Sequence, residues 1–149
     1  MATSPSSKDK PTDFSDGARL PTKYRPKTLD EIIGQENAVN RLRGIVAKDA
    51  WPAAVMFTGP TSAGKTTLAR AAVADTFGTP SLRGHPSYRE LNAADNRSID
   101  DMRSLIAESR LMPQGAKRRF ILIDEAQGLL STPASVGALL KNLEEPPPK

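Results

Sequence analysis

The sequence predicts an α/β fold in which a parallel sheet is flanked by helices. Short apolar runs typical of strands alternate with segments whose apolar residues recur at helical spacing. This alternation favours parallel pairing through right-handed crossovers. A glycine-containing loop follows the first apolar run, and two carboxylates end the last one. We therefore expect ligand-binding groups at the carboxyl ends of the strands.

The composition divides the chain into a tail and a folded region. Residues 1–19 are rich in Ser, Pro, Lys and Asp and are predicted to be disordered, because they bury too little apolar surface to offset the entropy of ordering. Residues 20–149 are predicted to form one α/β domain. No apolar run approaches the roughly 20 residues that cross a bilayer, and the N-terminus has no apolar signal core, so we expect a cytoplasmic protein without a membrane partner.

Charge and cysteine content limit the kinds of site. The chain has no cysteine, which excludes disulfides and thiolate zinc sites, so a bound metal must be held by oxygen. The formal net charge of +4 is compatible with a nucleic-acid partner but does not by itself select one, because basic patches matter more than totals.

A short helical turn and a helix precede the first strand. Thr28 and Glu31 have the spacing of a capping box, and Gly34 ends the turn. A longer helix is predicted to begin near Gln35 and to end at Trp51. Its apolar face consists of Val39, Leu42, Ile45 and Val46.

The next elements form a strand, a loop and a helix. Ala53 to Phe57 is a short apolar run that predicts a strand. Thr66 to Phe77 is rich in alanine and predicts a helix that Gly78 terminates. After a loop punctuated by Gly and Pro, Tyr88 to Leu91 predicts a second strand.

The remaining elements repeat this alternation. A capping signature at Ser98 begins a helix that ends before Pro113. Phe120 to Ile123 predicts a third strand that is apolar on both faces, as expected where helices cover both sides of a sheet. Pro133 occupies a helix start. The apolar faces of the two helices are Ile99, Met102, Leu105 and Ile106, and Val136, Leu139, Leu140 and Leu143.

The loop between the first strand and its helix has the pattern GxxxxGK[ST], which is typical of P-loop nucleoside triphosphatases. Its glycines let successive backbone N–H groups face phosphates, and the helix directs its positive end to the same point. We therefore predict a site for ATP with Mg²⁺. The predicted nucleotide-binding residues here are Gly59, Pro60, Thr61, Ser62, Ala63, Gly64, Lys65, Thr66 and Thr67.

Two carboxylates supply the second half of the predicted site. Asp124 is expected to hold Mg²⁺ together with the Thr66 hydroxyl, and Glu125 to polarise the attacking water. Lys65 is expected to contact the β and γ phosphates, so Lys65 and Glu125 are the predicted catalytic residues. An apolar strand that ends in Asp-Glu is by itself more often a solvated strand end than a catalytic pair. The loop at residues 59–66 makes the catalytic pair the favoured interpretation.

The arginines have less specific patterns. Arg97 and Arg103 lie within a turn of Ser98, and helix N-termini bind phosphate. The other arginines are scattered, and the simpler interpretation is that they form a solvated face. The run at 117–119 is typical of charged residues that precede a buried strand. His85 lies in a Gly/Pro loop and is assigned no role.

Three segments resemble the AAA+ ATPase subunits of DNA sliding-clamp loaders. They are the segment at 20–35 (LPTKYRPKTLDEIIGQ), the second-strand segment at 91–100 (LNAADNRSID) and the helix at 138–147 (ALLKNLEEPP). The first is shared with branch-migration motors, whereas the second is typical of clamp loaders. Together the segments extend over residues 20–147, which implies a P-loop AAA+ domain with a parallel sheet.

The resemblance also implies partners and further site residues. ATP binding would close a spiral of loader subunits around a sliding clamp and primer-template DNA, in the host cytoplasm of a virus or the nucleus of a eukaryote. The residues implied to wrap adenine are Tyr24, Arg25, Pro26, Ile33 and Gly34, and those implied to face the template strand are Arg97, Ser98 and Arg103. Bacterial loaders usually carry a cysteine zinc module, so a viral or replication-factor-C-like loader is favoured.

The family's remaining elements would lie beyond Lys149. They are the sensor strand, the arginine finger, the lid and the collar, so residues 20–149 are expected to be the N-terminal part of a domain that is incomplete at its C-terminus. Because the next strand would lie between those near Val55 and Ile121, residues 1–149 alone are expected neither to form a stable sheet nor to sustain ATP hydrolysis. Two alternatives stay open: another AAA+ DNA motor, for branch migration or fork remodelling, and a non-catalytic ATP-binding module.

Overall fold

A computed structural model describes residues 24–95, 99–131 and 133–144, and shows an α/β arrangement around two parallel strands. Strands β1 and β2 pair in register from Tyr88 opposite Phe120 to Asn92 opposite Asp124. The strands are β1 (Tyr88–Asn92) and β2 (Phe120–Asp124). The helices are α1 (Glu36–Ala47), α2 (Lys65–Phe77), α3 (Ile99–Ser109) and α4 (Pro133–Glu144), with 3₁₀ helices at Leu29–Glu31 and Ala126–Ser131.

The four helices lie where the sequence predicts them, but Leu140 and Leu143, which were expected on the apolar face of α4, are 51% and 42% exposed. On α1, Val39 and Leu42 are buried, as the spacing of the apolar residues predicts. Helix α2 ends at Gly78, which has the left-handed φ of 65° that a helix C-terminus favours and glycine adopts readily. Met102 is completely buried on α3. The region at 96–98, which contains the predicted capping residue, lies outside the described residues.

The capping box predicted at Thr28 and Glu31 does not form. The Thr28 side chain makes no capping hydrogen bond, whereas the Glu31 carboxylate accepts the backbone N–H of Lys27 at 2.8 Å. The backbone N–H of Leu29 donates instead to the Asp75 carboxylate of α2, at 3.0 Å. A tertiary contact thus replaces the local cap, and it ties the 3₁₀ helix to α2.

The prediction of a strand at Ala53–Phe57 is wrong for this structure. Residues 53–57 are not in a strand, and the side chain of Met56 is 84% exposed. A strand requires a hydrogen-bonded neighbour, and within the described ranges β1 and β2 pair only with each other. The same lack of a second neighbour explains why every residue of β2 is only half-buried, although complete cover by helices was expected.

The buried apolar side chains form two clusters, one from residues 29–72 and one from residues 91–129. The first joins α1, α2 and Leu29, and the second joins β1, α3 and Leu129. The Phe120 ring at the start of β2 lies edge-on at 4.9 Å to Trp51, which packs against the first cluster, and at 5.4 Å to Phe77. The loop at 59–66 lies between the two helices of the first cluster, and the two carboxylates follow the strand beside the second.

The basic run before β2 binds the end of α1. Asp49 accepts ion pairs from Arg118 at 2.8 Å and from Lys117 at 3.6 Å, and the Arg118 side chain also donates to the Asp49 carbonyl at 3.1 Å. Asp49 has a left-handed φ of 49°, which Asp tolerates better than most residues. The run therefore has a structural partner beyond its predicted role as a flank of the strand. Among the residues that the structure describes, no helix is long and apolar enough to cross a membrane.

Candidate nucleotide site

The loop at 59–66, which we call the phosphate loop, has a backbone that few sequences could adopt. Gly59 has a φ of 149° and Gly64 a φ of 81°, and Ser62 is also left-handed at 65°. Gly64 is the N-cap of α2 and offers no side chain to the helix N-terminus. The first turn of α2 also contains no acidic residue. Its backbone N–H groups and the positive end of its dipole are thus available to an anion.

Lys65 lies against this loop. Its Nζ donates to the carbonyl of Gly59 at 3.0 Å and to that of Pro60 at 2.7 Å. The two bonds hold the ammonium group over the loop, although it remains accessible to solvent. A cation in this position adds to the favourable field for phosphate oxygens.

The structure brings Thr66 and Asp124 together. The hydroxyl of Thr66, in the first turn of α2, lies 3.0 Å from both carboxylate oxygens of Asp124, at the end of β2. These residues are 58 positions apart in sequence, so only the packing of α2 on the strand explains their contact. A hydroxyl and a carboxylate are hard oxygen ligands, which suit Mg²⁺.

The donor set defines how Mg²⁺ would be held. The described part of the chain contains no group of three or more His, Cys, Asp or Glu able to hold a metal ion. Mg²⁺ commonly takes one or two protein ligands and completes its shell with phosphate oxygens and water. Thr66 and Asp124 therefore fit this cation together with a nucleotide.

Glu125 follows the strand in a strained conformation. Its φ of 53° is left-handed, and its backbone N–H donates to Asp124 Oδ1 at 3.0 Å. Its carbonyl accepts the N–H of Gly128 at 2.7 Å, and its carboxylate accepts a bond from the Gln127 side chain. Gln127 was not among the predicted site residues, because a short polar bond within a turn leaves no periodic signal.

The region predicted to wrap adenine is open. Tyr24 is 66% exposed and Ile33 98% exposed, and Arg25 and Pro26 are half-buried. Gly34 has a φ of 80° and lines a small depression of about 120 Å³ beside α1. Their role in binding adenine stays a prediction.

The predicted DNA-binding residues are only partly described. Arg103 is exposed on α3 and forms an ion pair with Asp100 at 3.5 Å. Arg97 and Ser98 lie outside the described residues. Their proposed contact with phosphate is not tested by the geometry.

A partly buried polar triad that joins α2 to β1 was not predicted from the sequence. The Arg70 guanidinium of α2 makes a two-pronged pair with the Glu90 carboxylate of β1, which also accepts the Tyr88 hydroxyl at 2.9 Å. The hydrogen bond with Glu90 raises the pKa of Arg70, against the opposing effect of burial. Burial raises the pKa of the Tyr88 phenol, and the neighbouring Glu90 raises it further. The triad fixes α2 on β1 and so helps to position the phosphate loop.

Sequence comparison identifies the family. The replication factor C small subunit of Archaeoglobus fulgidus is 40% identical to this chain over 124 residues, which are 82% of the chain. That of Methanothermobacter thermautotrophicus is 42% identical over 108 residues, or 72% of the chain. The chain is a replication factor C small subunit-like AAA+ protein. The small subunit of Haloarcula marismortui, at 40% identity over 124 residues, is a further relative.

The match extends over only part of these replication factor C small subunits. The aligned residues are 37%, 32% and 36% of the three archaeal proteins, so the chain spans about a third of the length of the relatives it matches. No protein-family model matches the chain. The resemblance to clamp-loader subunits, first based on three segments, is confirmed by these relatives.

Proposed function

We propose that the chain binds and hydrolyses Mg-ATP as a subunit of a clamp loader, and couples ATP to the loading of a sliding clamp on primer-template DNA in replication. The observation that carries the ATP part is the contact of the Thr66 hydroxyl with the Asp124 carboxylate, at 3.0 Å beside the phosphate loop. The similarity to replication factor C small subunits supports the clamp-loader part. The proposed partners are other loader subunits, the clamp and the DNA.

Each residue of the site has a proposed role that its position supports. The backbone N–H groups of Gly59 and of residues 61–67, together with the Lys65 ammonium, bind the phosphates. Thr66 and Asp124 hold Mg²⁺, which when bound neutralises charge that develops on the phosphate oxygens. Glu125, at the same end of β2, orients a water molecule and accepts its proton.

The remaining proposed contacts concern adenine and DNA. Adenine would lie against the segment before α1, and the template phosphates would meet the N-terminal turn of α3. The proposed adenine contacts are Tyr24, Arg25, Pro26, Ile33 and Gly34, and the proposed DNA contacts are Arg97, Ser98 and Arg103.

The Asp124→Asn variant tests the metal site. It removes a negative charge but preserves size, so ATP affinity without Mg²⁺ should be retained, whereas the gain in affinity on adding Mg²⁺ should be lost. Isothermal titration of ATP with Mg²⁺ or with EDTA measures both quantities. Asp100→Asn makes the same charge change on the exposed face of α3 and should behave like the wild-type chain. A full Mg²⁺-dependent gain in Asp124→Asn would show that the metal lies elsewhere.

The Arg103→Gln variant tests the proposed DNA contact in the assembled complex. One lost phosphate contact should weaken primer-template binding about equally for different sequences and should reduce the salt slope by about one. Fluorescence anisotropy at several salt concentrations measures the slope. Arg41→Gln, on the exposed face of α1, is the matched control. An unchanged slope in Arg103→Gln would place this arginine away from the DNA.

A further inference from the structure

One depression in the described residues is lined by arginines and lies apart from the phosphate loop. Its volume is about 650 Å³. Its wall is formed by α2, the loop after α2, strand β1, α3 and the residue before β2. None of its lining residues belongs to 59–66 or to the Asp124-Glu125 pair. We call it the arginine depression and define it by Arg83, His85, Arg89 and Arg119 together with the Arg70–Glu90 pair.

The charge of the arginine depression is positive. Four arginines line it against two glutamates, Glu90 and Glu108, which leaves two positive charges. Glu90 is fully engaged by Arg70 and by the Tyr88 hydroxyl. Glu108 pairs with Arg89 at 3.7 Å, on a surface where the arginine side chain is 57% exposed. The carboxylates thus compensate Arg70 and, weakly, Arg89.

The other two arginines have no such compensation. In residues 24–95, 99–131 and 133–144, neither Arg83 nor Arg119 forms an ion pair or a hydrogen bond. The Nε of Arg119 is buried and has no acceptor. A buried donor without an acceptor is unfavourable, and one on a charged group especially so. The guanidinium groups of Arg83 and Arg119 line the depression without an acceptor in the described residues, and an anion bound there would supply one.

The histidine adds a neutral donor to the wall of the arginine depression. The ring of His85 stacks on Phe77 with centroids 4.0 Å apart, and its Nδ1 accepts the backbone N–H of Ser87 at 3.2 Å. In the neutral ring the proton is therefore on Nε2, which is left as a donor. The free donors come from the loop at 83–85 and from Arg119 before β2, so they approach from different segments.

We propose that the arginine depression is a second phosphate-binding site, separate from the nucleotide site. A phosphate group offers oxygens in several directions and forms strong charge-assisted bonds with guanidinium groups, which suits donors from two segments better than a planar carboxylate does. The phosphate belongs either to a small phosphorylated molecule or to a nucleic-acid backbone. The depression's volume is within the range of small-molecule sites, which is about 300–1,000 Å³.

Titration of the ¹⁵N-labelled chain with inorganic phosphate tests the proposal, with sodium chloride at equal ionic strength as the reference. The backbone amides of Leu82 to Arg89 should shift, and the amides at 59–67 report separately on the nucleotide site. Arg119→Gln and Arg83→Gln should each weaken the phosphate response at 82–89 by about tenfold or more, since each removes a charge-assisted bond. Arg41→Gln removes the same charge at a distance and should leave the response unchanged.

The arms of the experiment separate the two sources of phosphate. If a ten-nucleotide single-stranded DNA shifts the same amides and Arg119→Gln abolishes the shift, the ligand is a nucleic-acid backbone. If inorganic phosphate shifts these amides and the DNA does not, the ligand is a small phosphorylated molecule. Arg83 is exposed, so its variant stays informative even if Arg119→Gln unfolds. Absence of phosphate-specific shifts at 82–89, or equal losses in Arg41→Gln, would overturn the proposal, whatever happens at 59–67.

Discussion

At the scale of single residues, the candidate site depends on backbone conformations that most side chains disfavour. Ser62 and Glu125 are both left-handed without being glycine, and each costs of order 1–3 kcal/mol. Glu125 is held there by the N–H of Gly128 on its carbonyl and by its own N–H on Asp124. The left-handed backbone at Glu125 turns the chain at the end of β2. The Asp124 carboxylate therefore lies beside Thr66, and the Glu125 carboxylate lies beside Gln127.

The Glu125→Gln variant is predicted to retain ATP binding and to lose most turnover. Gln preserves the size of the side chain but cannot accept the proton of the attacking water, a loss of about 10²–10⁴-fold for a general base. Single-turnover hydrolysis in the assembled complex measures the rate, and calorimetry measures the affinity. Glu144→Gln, at the exposed end of α4, should hydrolyse ATP at the wild-type rate. Wild-type turnover in Glu125→Gln would exclude it as the base.

At the scale of elements, the 3₁₀ helix at Ala126–Ser131 packs unusually closely on the turn that follows β1. A Cβ atom at Gly128 would lie 2.5 Å from the Ala93 carbonyl oxygen and 2.8 Å from its carbon. The backbone of the turn is therefore in direct contact with the segment that carries Glu125. This approach links the end of β1, from which the chain continues toward the proposed DNA-binding turn, to the proposed catalytic carboxylate.

The Gly128→Ala variant should be destabilised, because the added methyl meets backbone atoms that cannot move without shifting β1. Overpacking of this kind costs about 1–3 kcal/mol, and the displacement should also lower ATP turnover. Urea unfolding measures the free energy. The matched control is Gly137→Ala on α4, where nothing lies within 4 Å of the new Cβ and where Ala should stabilise the helix by roughly 0.5–1 kcal/mol. Equal stability of Gly128→Ala and the wild-type chain would contradict the predicted clash.

At the scale of the whole molecule, a few long-range contacts join the residues after α1 and the end of α2 to the start of β2. The edge-on rings of Trp51, Phe77 and Phe120 form one. The ion pairs of Asp49 with Lys117 and Arg118 form another and connect the end of α1 to the start of β2. Because the phosphate loop follows α1 and the carboxylates follow β2, these contacts affect how the two halves of the candidate site meet.

The Asp49→Asn variant is predicted to reduce the free energy of unfolding by about 0.5–1.5 kcal/mol. Asn tolerates the left-handed backbone but lacks the charge that Arg118 and Lys117 share, and partly exposed pairs contribute only modestly. Denaturant unfolding at low and high salt measures the loss, which should shrink as salt rises. Asp30→Asn breaks a more exposed pair with Arg43 and should change stability less. A larger effect at Asp30 would contradict this ranking.

The sequence by itself determined the four helices, the strands β1 and β2, and the family. The signals that predict helices are local. They are helical periodicity, the glycine at the C-terminus of α2 (Gly78) and the proline at the N-terminus of α4 (Pro133), and each depends only on residues close together in sequence. The phosphate loop and the Asp124-Glu125 pair were likewise predicted from short patterns, and the structure places Thr66 beside Asp124 without testing the roles assigned to them.

Only the tertiary structure decided which of these elements pair and which polar groups meet. Ala53–Phe57 has the composition of a strand, yet it forms none where no neighbour bonds to its backbone. The Arg70–Glu90–Tyr88 triad, the Asp49 ion pairs and the uncompensated Nε of Arg119 join residues far apart in sequence or depend on burial. No local pattern encodes them, because hydrogen bonds and desolvation depend on distances that packing sets.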